Sequence, residues 1–111
     1  MRRMSVERSA TIEQIVREFH KRVEQALGTP VKVVLFGSSA RGEATEGSDI
    51  DVLVVVPVLD ARVEDLIGDL AWEVGLNAGV VLAVVPVAQD ELKVLSQSPF
   101  FQAVQREGIP L

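Results

Sequence analysis

An α/β fold, one sheet with helices packed against it in two or three layers, is predicted from three observations. Residues 31–36, 49–58 and 80–87 are short, β-branched and nearly unbroken apolar runs, as expected of strands covered on both faces. Between and around them, apolar residues recur at helical spacing. The composition, 48% hydrophobic with a mean hydropathy of +0.27, describes a packed globule and not a disordered chain.

The elements follow in order. From Thr11, Ile12, Ile15, Val16, Phe19, Val23 and Leu27 form a 3.6-period stripe, with Thr11 and Gln14 in capping-box register, and Gly28 followed by Thr29-Pro30 ends the helix. Residues 1–10 are expected to fray ahead of a single domain over residues 11–111. The first strand, 31–36, is bounded by Pro30 and Gly37. A loop leads to Ser48, and the second strand, 49–58, ends near Pro57.

Asp60 suits an N-cap, after which Val63, Leu66, Ile67, Leu70, Ala71 and Val74 repeat at helix spacing until Gly75, Asn77 and Gly79 break the pattern. The third strand, 80–87, precedes a short helical stretch, "QDELKVLS". Ser98-Pro99 then opens a last helix through Phe100, Phe101 and Val104 that Gly108 terminates. No internal repeat or linker interrupts this α-β-β-α-β-α-α order.

Charge and cysteine content exclude several function classes. Sixteen acidic against eleven basic residues give a formal charge of -5, which disfavours long nucleic acid as a partner because phosphate binding needs clustered cations. With no cysteine there are no disulfides, thiolate chemistry or zinc–thiolate sites, which is compatible with a reducing cytoplasm. No apolar run is long enough to span a bilayer.

The chemistry concentrates in "FGSSARGEATEGSDIDVLVVV", residues 36–56. Side chains alternate along a strand, so Asp49 and Asp51 share a face, roughly 6.6 Å apart at Cα. Two neighbouring carboxylates repel unless a cation lies between them, and an oxygen-only pair suits Mg²⁺ or Mn²⁺. Upstream, Gly37 and Ser38 end a buried strand, and the "SSAR" turn presents free N–H groups suited to phosphate oxygens. Each half is commonplace by itself. Joined across paired strands, they describe a site where a metal and a nucleoside triphosphate meet and a hydroxyl attacks the α-phosphate.

This stretch resembles the signature of the nucleotidyltransferase superfamily that includes DNA polymerase beta, and most closely its minimal nucleotidyltransferase (MNT) group, whose GSxARG and SDIDLxV segments residues 37–55 match nearly position by position. The resemblance implies a small nucleotidyltransferase fold, a mixed sheet of three or more strands with helices mainly on one face. It implies Asp49 and Asp51 as catalytic metal ligands, and Gly37, Ser38, Ser39, Arg41 and Ser48 as the nucleotide-binding set, Arg41 bracing the loop more than doing chemistry. It further implies ATP or another nucleoside triphosphate as substrate, Mg²⁺ or Mn²⁺ as cofactor, and a small helical HEPN-type partner toward which the MNT chain acts as antitoxin. Homo-oligomers are compatible with it. One departure stands out: the third strand carries no carboxylate where active relatives have a third acid, so a nucleotide-binding module that neutralises a partner by contact is the alternative. Transfer to a small molecule such as an aminoglycoside ranks lower, because it needs an added substrate domain.

The remaining conspicuous residues are expected in the structure's fabric. His20 should flank the apolar stripe without a catalytic partner, Trp72 should pack at the margin of its helix's stripe, and Phe100 and Phe101 should cover the core. Glu43 and Glu46 read as solvated loop residues.

Overall fold

A computed structural model of the chain describes residues 2–45 and 47–111, with side chains described from Thr11 onward. Helix α1 (Arg2–Leu27) is followed by β1 (Lys32–Phe36), a single turn α2 (Gly37–Ala40) and β2 (Ile50–Val56). Then come α3 (Ala61–Ala78), β3 (Leu82–Ala88), a 3₁₀ turn (Gln89–Glu91) leading into α4 (Leu92–Leu95), α5 (Pro99–Glu107) and β4 (Ile109–Pro110). The sheet order is β3-β2-β1-β4, with β1 antiparallel to β2 and β4 and β2 parallel to β3, so the sheet is mixed.

The helix expected from Thr11 begins instead at Arg2, and Thr11 and Gln14 are not at a cap. The reason is compositional: residues 2–10 contain neither Gly nor Pro, so nothing stops the helix from continuing upstream. Met1, the side chains of residues 2–10 and Glu46 lie outside the described residues. The α3 pattern likewise continues past Gly75, which was expected to help end it. A Cβ at Gly75 would press on the Val80 carbonyl, whose residue's N–H returns a 2.9 Å bond to the Gly75 oxygen, so the glycine is a packing contact within the helix. Asp60 caps α3 by accepting from the Val63 N–H at 2.9 Å, and Ser98 caps α5 by accepting from Phe101 at 3.1 Å.

The main core lies between α1, α3 and one sheet face, where Val16, Phe19, Val23, Val52, Val54 and Ile67 are almost fully buried. Each such side chain contributes on the order of 1.5–3 kcal/mol of transfer free energy, enough to fix which face of β2 points inward. The other face is covered in part by α5, through Phe101 and Val104 on Val34, Leu53, Val55 and Val87. Asp51 has the same strand parity as Leu53 and Val55, which places it on this second, less covered face.

His20 is half-buried, and not simply a flanking residue. Its Nδ1 lies 3.0 Å from the Leu111 carbonyl, and its Nε2 lies 2.8 Å from the Val31 carbonyl and 3.2 Å from Glu24. The imidazole thus ties α1 to the entry of β1 and to Leu111, which follows β4. Trp72 departs most from expectation. Its side chain is 69% exposed, because position 72 lies beyond the arc of α3 that reaches the sheet through Ile67, Ala71 and Val74. Of the phenylalanine pair, Phe101 is buried and Phe100 half-exposed.

Candidate active site

Antiparallel pairing of β1 with β2 sets Phe36 opposite Asp51, so the turn leaving β1 and the acids entering β2 occupy one corner of the sheet. Gly37 has a φ of +72°, a conformation that glycine adopts without strain. It also leaves the only room available: a Cβ there would collide with the Asp51 carboxylate. Two constraints at one position explain why the chain makes its turn with Gly-Ser.

α2 is closed by the Arg41 N–H donating to the Gly37 carbonyl at 3.2 Å and the Glu43 N–H donating to Ser38 at 2.9 Å. Its opening N–H groups, at Ser38 and Ser39, belong to the part of a helical turn that has no internal acceptors. Ser38 is half-buried beside Gly37, and the Ser39 hydroxyl is buried without a hydrogen-bond partner among the described residues. Ser48 is engaged in the loop: its hydroxyl accepts from the Thr45 N–H at 3.1 Å and lies 3.1 Å from the Thr45 hydroxyl.

Asp49 is exposed just before β2, and Asp51 is half-buried one residue inside it. Removal of water from around Asp51 pushes its carboxyl above the ordinary range, the Asp49 charge pushes it further, and Arg41 opposes both. The two acids are therefore close enough to repel. Arg41 itself is held by Glu43 at 2.6 Å and by Glu107 of α5 at 3.3 Å, so it braces the loop against α5 while its charge favours the ionised Asp51. Glu43 is thus an ion-pair partner and not simply solvated. A cavity of about 210 Å³, bounded by Phe36, Gly37, Arg41, Phe100 and Glu107, adjoins the turn.

By its chemistry the donor set suits one hard divalent cation. It offers two hard carboxylates, one of them destabilised as an anion, against a glycine that clears space beside it. Among the described residues no group of three or more His, Cys, Asp or Glu side chains could hold a metal. The register gives Asp51 a neighbour on the third strand. Ala83 pairs with Asp51 in the parallel ladder and shares its face, and alanine supplies no ligand. Sequence reasoning missed the role of Glu107 and this position of Ala83, because both depend on strand and helix placement 32 or more residues away from Asp51.

The fold and this corner define a class. Residues 13–104 match the family described as nucleotidyltransferase domain, and the chain belongs to that family. Within it, the chain is 34% identical over 97 residues to a Methanocaldococcus jannaschii protein named "Putative protein adenylyltransferase MJ0604", covering 86% of this chain and 93% of that one. A second protein of that organism and description, MJ1305, is 32% identical over 79 residues, or 64% of this chain and 54% of that one. A bifunctional uridylyltransferase/uridylyl-removing enzyme of Burkholderia lata is 36% identical over 87 residues, or 72% of this chain. The chain spans about a tenth of the length of that enzyme.

Proposed function

We propose that this protein is a metal-dependent transferase that moves a nucleoside monophosphate, AMP from ATP, onto a hydroxyl of a partner protein, in the manner of an MNT antitoxin acting on a HEPN-type toxin. The observation that carries the reading is the Asp51 carboxylate set against the Gly37 backbone with Asp49 beside it. The name of the similar-sized M. jannaschii relative supports adenylyl transfer to a protein, while the uridylyltransferase relatives make UTP the natural competing donor.

In this reading Asp49 and Asp51 would hold Mg²⁺ or Mn²⁺, and Gly37, Ser38 and Ser39 would grip the triphosphate through backbone N–H groups, with the Ser38 hydroxyl as a further donor. When bound, the cation would supply charge neutralisation of the triphosphate and the departing pyrophosphate. Arg41 keeps the turn in place through Glu43 and Glu107. The acceptor oxygen bonds to the α-phosphorus as the bond from that phosphorus to the bridging oxygen of pyrophosphate breaks, and the hydroxyl proton passes to solvent.

Ala83 supports a second reading. With alanine at that position and no third carboxylate beside Asp51 among the described residues, the chain can hold nucleotide and neutralise its partner by contact without turnover. Incubation of the purified chain and the protein encoded beside it with Mg²⁺ and ATP or UTP, each labelled at the α-phosphate, separates the readings. Label from ATP on the partner, lost in the Asp49→Ala/Asp51→Ala variant, is the expected result. Inhibition of the partner that survives this double substitution without any label overturns the transferase reading and leaves the binding module.

A further inference from the structure

A second functional surface lies away from the acids, where α3 meets the open edge of the sheet. Trp72 and Leu76, one helical turn apart, are 69% and 62% exposed. With Gly68, Leu82 and Val84 they line a groove of about 340 Å³ between α3 and β3. The position of a side chain at Gly68 is open, with nothing within 4 Å. An exposed tryptophan above an apolar groove is the composition of an interface anchor and an unfavourable one for a free surface.

The flanking charge selects the occupant. Glu64, Asp65 and Asp69 are exposed on the same stretch of helix, Asp65 seven and Asp69 three residues before Trp72, which places both on its side of α3. None of the three has an ion-pair partner among the described residues. A second copy of this chain, with a formal charge of -5, would bring the same carboxylates to this rim.

Strand addition is also disfavoured. The Val81 carbonyl accepts from Ile50 of β2 at 2.9 Å, so the odd-numbered residues of β3 face β2 and the even-numbered ones face the open edge. One of those is Pro86, which has no N–H to offer, leaving too short a ladder for a partner strand.

We propose that this groove docks an amphipathic helix of a different protein, its apolar face seated on Trp72 and Leu76 and its Lys/Arg flank on Glu64, Asp65 and Asp69. The surface stands apart from transfer at Asp49 and Asp51, which belong to the opposite sheet face.

Trp72 is the single tryptophan of the sequence, so its emission reports the groove directly. The full chain is titrated with a designed Leu/Lys amphipathic helix of about 18 residues, and with a Leu/Glu peptide of the same apolar pattern. The expected result is a saturable blue shift with the Leu/Lys peptide alone, weakened tenfold or more by Gly68→Gln, which fills the groove, and by Asp65→Asn/Asp69→Asn, and unchanged by Asp51→Asn. Gly68→Gln favours the helix, so loss of binding there is not loss of fold. No shift, equal binding of both peptides, or binding indifferent to Gly68→Gln overturns the proposal. So does sedimentation of the chain alone as a dimer whose dissociation shifts Trp72 emission to the red, which would assign the groove to a second copy.

Discussion

Asp51 shows at the scale of one residue how the proposed cation site is unfavourable without its ion. Burial and the Asp49 charge raise its carboxyl above the ordinary 3.8, so the ionised form is disfavoured by the fold. The sign follows: a carboxyl raised on folding weakens the folded state at neutral pH, and that loss is recovered as pH falls through the raised value. Asp51→Asn is therefore expected to raise the melting temperature of the metal-free protein at pH 7 while weakening Mn²⁺-dependent nucleotide binding tenfold or more; calorimetry and a binding titration check the two halves. Gly37→Ala should act oppositely on stability. It places a methyl group against the Asp51 carboxylate at a φ of +72° and is expected to cost about 1–3 kcal/mol in denaturant unfolding.

At the scale of elements, the site exists because β1 and β2 pair antiparallel around a turn that faces the second strand's first residues. The parallel pairing of β2 with β3 then decides what stands on the acids' other side, and it is Ala83. Ala83→Asp is expected to tighten Mn²⁺ binding by tenfold or more and to increase label transfer from ATP, read by metal titration and by radiolabel on the partner. An unchanged metal affinity would show that the third position does not face the cation. How far these elements were legible varies with the range of the contacts that specify them. The caps at Asp60 and Ser98 and the three longer strands are local signals and stand within two residues of their expected bounds. β4 was missed because two residues including a proline carry no strand pattern, and Val34 and Leu35 of β1 recruit it through the pairs Val34–Pro110 and Leu35–Ile109, far apart in sequence. The exposure of Trp72 was missed because periodicity gives the arc of a helix but not how much of it the sheet covers.

At the scale of the molecule, α1 is joined to the sheet and to the chain's end through polar contacts as well as through the core. Glu24 accepts from the Val31 N–H at 2.9 Å and meets His20, which reaches the Leu111 carbonyl. The Val31 hydrogen bond, aided by His20, holds the Glu24 carboxyl below its ordinary 4.5. A carboxyl lowered on folding contributes stability that is present above the unfolded value and lost as pH falls through the folded one. Glu24→Gln should therefore flatten the acid limb of the unfolding profile below about pH 4.5, measured by urea midpoint against pH, with Glu18, lowered by its bond to Arg22, accounting for part of what remains.

Residues 36–56 by themselves determined the class of chemistry, because a glycine-led turn and two acids at strand spacing are local patterns whose meaning survives translation from chain to fold. The unbroken apolar strand runs and the helical stripes determined the layers for the same reason. Only the tertiary structure decided that Ala83 neighbours Asp51, that Glu107 braces Arg41, and that Trp72 faces solvent beside carboxylates that have no ion-pair partner among the described residues. Those are relations between segments distant in sequence, fixed by register and packing, and a one-dimensional pattern holds no coordinate for them.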